Sequence, residues 1–244
     1  MISLQLYTVR DAMRQDPLDT LERVAQIGFP AVEIGAKNSD AVLAKLRELN
    51  LKVTSAGVGI ESLRDDFDGV IEGARALGTS FLMLGYVGEE HRGSAQKWAQ
   101  TAKILEGFGQ KARAAGLTLC YHNHDFELKE QFEGKTGLEI LFENADANDL
   151  KAELDVYWIQ KGGGDPVEFI NRYAGRLPLL HCKDMMPDGS FGEVGEGVLN
   201  WPAILEAARN AGVQSYVIEQ DTCAGDPFES IAVSLKNLKA MGVS

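Results

Sequence analysis

The sequence predicts a single-domain (β/α)8 barrel, an α/β fold over residues 1–244, and three observations predict it. Short runs rich in Val, Ile, Leu and Phe recur eight times, each followed by a longer amphipathic stretch. The length of 244 residues is close to the about 250 usual for such barrels. The stretch LQLYTVRD at the first strand has no glycine, whereas an open dinucleotide-binding sheet needs a Gly-rich turn there.

The strands are expected at 2–7, 30–34, 51–57, 80–84, 117–122, 150–155, 177–182 and 215–219. They are nearly continuous apolar runs, as strands covered on both faces must be. DPLDTLERVAQIG reads as the first helix, with Asp16 as N-cap, Pro17 at the first helical position and Gly28 as C-cap. Helices at 39–49, 62–77, 94–115, 136–145, 165–174, 200–211 and 227–240 follow the other strands, several announced by Asp-Pro, Trp-Pro or Ser. No composition break or low-complexity segment suggests a second domain.

With 24 basic against 36 acidic residues the net charge is −12, which argues against nucleic acid or an anionic membrane surface as partner. Cys120, Cys182 and Cys223 are odd in number and widely spaced, unlike a secreted disulfide framework. The start MISLQLYTVRDAM is too short and too soon charged for a signal peptide, and no apolar run approaches the roughly 20 residues of a membrane helix. A cytoplasmic protein acting on a small molecule is expected; homo-oligomerisation stays open.

In a barrel of this kind the reactive groups belong at the carboxyl ends of the strands. There the sequence places Glu33 in AVEIG, His122 and His124 in TLCYHNH, and Asp155 in KAELD. PLLHCKD adds His181 and Lys183, and VIEQD adds Glu219. Taken singly, Asp155 reads as a helix cap, Glu219 as a rim ion pair and His181 as a hydrogen-bonded mouth residue. Converging from neighbouring strands, such groups call for a shared cation. Asp155, His181, Glu219 and one group from the fifth strand can meet at a common centre. A donor set richer in oxygen than nitrogen points to one divalent metal ion, Mn²⁺ first, with Mg²⁺, Co²⁺ and Zn²⁺ tolerated.

The segments SLQLYTVRD, GFPAVEIG, YHNHDFEL, LDVYWIQKGGGDP, RLPLLHCKDM, GEVGEGVLNW and VIEQD occur in an order that resembles the sugar phosphate isomerase/epimerase family of xylose isomerase-like TIM barrels. The HNHDFE stretch is similar to the branch of inosose dehydratases and 3-keto-glycoside lyases. The resemblance implies one divalent metal held by Asp155, His181 and Glu219. Other members place a glutamate at the end of the fifth strand, where this chain has His122. The resemblance then implies that Glu127 folds back as the fourth ligand and leaves His124 free for proton transfer. If Glu127 points to solvent instead, His122 or His124 takes its place.

Such a site is expected to act on a carbohydrate or polyol ketone through a metal-stabilised enediolate. Isomerisation or epimerisation is placed first, with elimination by a lyase or dehydratase as the alternative. His124 is the candidate proton-transfer group, Glu219 is a catalytic candidate as well as a ligand, and Lys183 either stabilises developing charge or pairs with Asp184. His122, Glu33, Trp158, Gln5 and Tyr7 are candidate substrate contacts; the bland alternatives are filling of the barrel mouth and, for Trp158, loop packing. Glu193 and Glu196 in FGEVGEGVLNW disfavour a phosphate after the seventh strand, so an unphosphorylated substrate is expected. A non-catalytic sugar-binding subunit is a competing class. A metal-dependent endonuclease is another, opposed by the charge and by the presence of only four histidines.

Overall fold

A computed structural model describes residues 1–244. The eight apolar runs are eight strands: β1 (Ile2–Gln5), β2 (Ala31–Gly35), β3 (Lys52–Val58), β4 (Phe81–Leu84), β5 (Thr118–His122), β6 (Leu150–Asp155), β7 (Leu179–Cys182) and β8 (Ser215–Ile218). All pair in parallel with their sequence neighbours, and β8 returns to β1 through Ile2↔Tyr216 and Leu4↔Ile218, which closes the barrel. Closure leaves no sheet edge and aligns the carboxyl ends of all eight strands on one rim.

Eight principal helices wrap it: α1 (Pro17–Ile27), α2 (Asp40–Glu48), α3 (Phe67–Leu77), α4 (Ala95–Ala114), α5 (Gly137–Glu143), α6 (Pro166–Arg172), α7 (Trp201–Ala211) and α8 (Pro227–Ala240). Their ends follow from local chemistry. The Asp16 side chain accepts from the Leu18 and Asp19 N–H groups, Pro17 opens α1, and Gly28 ends it at φ 102°, a left-handed geometry that glycine adopts without a Cβ clash. Thr136 and Glu139 form a reciprocal capping box on α5. Strand inner faces, strand outer faces and helix stripes join in one continuous hydrophobic core.

Several boundaries differ from the sequence reading. The first run stops as strand at Gln5, and residues 6–15 become a 3-10 turn and a short helix, because the Gln5 side chain caps the turn at Tyr7. The stretch read as one helix over 62–77 divides at Asp66, whose carboxylate accepts from Gly69 N–H and starts α3 afresh. Residues 156–161 form a short helix capped by Asp155 rather than a loop. A register shift between Val32 and Ile34 interrupts the pairing of β2 with β3 at Glu33, and such an irregularity re-aims the side chain. Glu33 is fully buried and reaches His181 inside the barrel.

Candidate active site

Side chains two apart on a strand share a face, so a few strand ends supply a whole site. β5 contributes His122, β6 contributes Glu153 and Asp155, and the residues at and just past β7 and β8 contribute His181, Lys183, Glu219 and Asp221. One donor atom each from His122, Asp155, His181 and Glu219 lie within 4.8 Å of one another, and all four residues are buried. His181 is the hub: Nδ1 lies 2.8 Å from Glu219 Oε2, and Nε2 lies 3.0 Å from Glu33 Oε2 and 2.9 Å from Glu153 Oε1. Lys183 Nζ lies 3.1 Å from Asp155 Oδ2, 2.8 Å from Glu219 Oε2 and 2.7 Å from Asp221 Oδ1.

The electrostatics follow from burial and these partners. Burial pushes the Asp155 carboxyl up to about 6 despite the nearby Lys183 and His181 charges. Burial would also raise Glu219, but Lys183 and His181 overcome it and hold the carboxyl at about 2. Burial and the Glu33 charge push Glu153 well above the usual carboxylate range. For His181 burial pulls down, yet Glu33, Glu153 and Glu219 outweigh it and raise the imidazole well above its ordinary value. Burial is opposed in the same way at Lys183, where Asp155, Glu219 and Asp221 keep the ammonium charged.

Glu33, Glu153, Asp155, Glu219 and Asp221 thus surround one ammonium and one imidazole able to carry charge, an excess of negative groups in low dielectric. Three buried side-chain atoms here have no hydrogen bond: His122 Nδ1, Glu153 Oε2 and Asp155 Oδ2, the last 3.1 Å from Lys183 Nζ and 3.9 Å from His122 Nε2. Two imidazoles and two carboxylates in a buried cluster with unsatisfied donors fit a divalent cation. Three sequence-predicted ligands, Asp155, His181 and Glu219, are therefore brought together.

Glu127 is not with them. It does fold back and is fully buried, but Oε1 accepts from the Tyr121 hydroxyl at 2.8 Å and Oε2 from the His124 N–H at 2.8 Å. Tyr121 precedes the inward His122 and so faces the helix layer, where its ring meets Phe142 of α5 edge-on at 6.3 Å. Glu127 follows it to the outer side of β5, and burial there pushes its carboxyl up to about 8. His122 takes the fourth place in the donor group.

A cavity of about 390 Å³ opens over the cluster and is lined by His122, His124, His181, Lys183, Glu219 and Asp221, with Gln5, Tyr7, Met83 and Tyr86 on the opposite side. His124 and Lys183, the predicted proton-transfer and charge-stabilising groups, both face it. Burial and the Lys183 charge push His124 down to about 4, so the ring is neutral at pH 7. Glu33 does not reach the cavity: it is bonded to Gln5, Ser55 and His181 below the floor, which places it as a partner of the histidine and not of a bound molecule. Trp158 is half-buried between His124, at 5.3 Å, and Phe191, at 5.5 Å, so it supports the wall from behind. Tyr7 and Tyr86 stand about half exposed at the rim.

Lys183 does not pair with Asp184, which alternates to the outer face. There Asp184 accepts from the N–H groups of Met185, Gly195, Gly197 and Leu199 and from Trp201 Nε1. A Cβ on Gly197 would lie 2.3 Å from Met185 O and 2.4 Å from Asp184 Oδ1, so this close wrap requires glycine. In FGEVGEGVLNW the backbone amides of Gly195, Gly197 and Leu199 are thus consumed by an internal carboxylate. Glu153 and Asp221 were missed in the sequence, although alternation from Asp155 and Glu219 puts each on the same inward face.

A sequence profile of the xylose isomerase-like TIM barrel family matches residues 21–241. The chain is 26% identical over 165 residues to an inosose dehydratase of Lacticaseibacillus casei, a match that spans 59% of this chain and 54%, about half, of that protein. It is 22% identical over 253 residues to an inosose dehydratase of Bacillus anthracis, across 86% of this chain and 84% of that one. A crystal structure of a sugar phosphate isomerase/epimerase from Parabacteroides distasonis superposes with a TM-score of 0.86 at 23% identity, over 98% of this chain and 93% of that chain, a likeness of fold. Closed parallel barrel, strand-end donor cluster and a profile match across nearly the whole length agree: the chain belongs to the xylose isomerase-like TIM barrel family.

Proposed function

We propose that this protein is a divalent-metal-dependent lyase that removes a proton beside the ketone of an unphosphorylated sugar or polyol and expels the β-oxygen. The observation that carries it is the convergence of His122, Asp155, His181 and Glu219 under a cavity that also presents His124 and Lys183. A cation held by those four residues would supply Lewis-acid polarisation of the carbonyl.

The chain's own groups divide the remaining work. His124 is neutral at pH 7 and lies outside the donor group, so its imidazole can take the carbon-bound proton. Lys183, kept as an ammonium by Asp155, Glu219 and Asp221, offers positive charge to the enediolate oxygen. Elimination is favoured over epimerisation by this asymmetry. Returning a proton to the opposite face needs a proton donor there, and Glu219, engaged by His181 and Lys183 and held at about 2, carries no proton to return at pH 7. Similarity to inosose dehydratases points the same way. The engagement of the loop amides by Asp184, where many barrels bind phosphate, supports an unphosphorylated substrate.

The test is incubation with inososes, keto-sugars and keto-glycosides in D₂O with Mn²⁺, followed by NMR. Loss of water or an aglycone, abolished in Asp155→Ala, is expected. Deuterium exchange with isomerised product and no elimination would replace the lyase by an isomerase. Absence of any exchange across the panel would leave a sugar-binding protein.

A further inference from the structure

HNHDFE carries more than one imidazole for chemistry. His124 sits just past β5, where the chain leaves the sheet, and a residue that departs from a strand end needs something to fix its direction. Two neighbours do this. Asn123 Oδ1 accepts from the Asp155 N–H at 3.0 Å, which ties the end of β5 to the end of β6. Glu127, from the short helix Phe126–Lys129, accepts the His124 N–H on one oxygen and the Tyr121 hydroxyl on the other, both at 2.8 Å.

Glu127 therefore clamps the residue before His122 and the residue after Asn123 at once. It does so from the helix layer, fully buried and away from the cavity wall. Neither oxygen lies in the donor cluster, which gathers His122, Asp155, His181 and Glu219. A buried carboxyl that joins an outward strand side chain to the backbone of an inward-facing loop residue transmits position and not charge.

We propose that Glu127 is a positioning residue that holds the His124 imidazole toward the cavity, and that it does not ligate the metal. The catalytic part rests on His124 being the proton acceptor; the geometric part does not. Glutamine is the conservative replacement, because its amide oxygen accepts from His124 N–H while its NH₂ group donates to the Tyr121 oxygen. Alanine removes both bonds, and Tyr121→Phe removes one with little change of volume.

The experiment compares Glu127→Gln, Glu127→Ala and Tyr121→Phe in the full chain. It uses Mn²⁺ titration calorimetry, NMR of the His124 ring, and proton exchange of the keto-substrate. Mn²⁺ affinity is expected to be unchanged in all three. The His124 ring signals should shift in Glu127→Ala, more weakly in Tyr121→Phe, and return in Glu127→Gln. Exchange should fall in Glu127→Ala by about 10- to 100-fold, as for loss of a supporting hydrogen bond around a reactive group, with KM little altered.

Loss of Mn²⁺ binding in Glu127→Gln would make Glu127 a ligand and overturn the proposal. So would His124 signals that stay fixed in both Tyr121→Phe and a folded Glu127→Ala. If Glu127→Ala does not fold, Tyr121→Phe and Glu127→Gln carry the comparison. Should His124→Ala keep full exchange, the base assignment fails while the ring signals still judge the clamp.

Discussion

At the scale of single residues, the contrast between Asp155 and Glu127 shows what placement does to a carboxylate. Both are buried and both occur near the ends of neighbouring strands. Asp155 faces the Lys183 ammonium and rises only to about 6, whereas Glu127, with neutral donors alone, is pushed by burial to about 8. A carboxyl raised from 4.5 to about 8 on folding contributes stability at low pH and loses it as pH rises from 4.5 through 8. Glu127→Gln is therefore expected to gain melting temperature relative to the wild type across that window. Thermal denaturation at a series of pH values checks it, and a difference independent of pH would show an ordinary carboxyl. The sequence made His124, Asp155, His181, Lys183 and Glu219 legible because they end apolar strands, where a charged group is conspicuous. Glu127 lies beyond the strand, and spacing does not say to which side the chain folds back.

At the scale of elements, the connection after β7 is ordered by a single anion. Five donors converge on Asp184, and the glycines of GEVGEG let the backbone wrap it closely. Glu193 and Glu196, the residues that had argued against phosphate in the sequence, act elsewhere: Glu193 accepts from Ser230 Oγ and Glu196 from Asn237 Nδ2, both on α8. Asp184, and not these glutamates, takes the loop amides on which the proposal of an unphosphorylated substrate rests. Asp184→Ala would leave buried donors without an acceptor, and we expect a loss of at least about 3 kcal/mol in denaturant unfolding. Faster amide exchange across 185–199 should accompany it. A variant as stable as the wild type would show the loop held by packing alone. The short helix Phe126–Lys129 and the two-residue strand pairs Gln131–Phe132 with Lys135–Thr136 and Asp184–Met185 with Phe191–Gly192 were not legible because they bury little periodic apolar surface.

At the scale of the whole molecule, four donors from β5 to β8 are held only because the barrel is closed, so a bound cation would brace the same strands that position it. Mn²⁺ at a hundred times its dissociation constant should stabilise the fold by about 2.7 kcal/mol, raising the melting temperature by about 5 to 10 °C for a chain this size. The rise should vanish in Asp155→Ala, and calorimetry with and without a chelator is the measurement; an equal rise in the variant would place the metal elsewhere. The sequence by itself determined the eight alternating units, the capped helices and the carboxyl-end rim, because these follow from local periodicity and from the cost of burying charge. Only the tertiary structure decided that His122 and not Glu127 joins the donor group, that Glu33 and Glu153 grip His181 from below, and that Asp221 shares Lys183 with Glu219. Those choices depend on which face each strand end turns inward and on how distant strands meet around the barrel axis, and contacts between residues as far apart as Glu33 and His181 leave no trace in the spacing of neighbours along the chain.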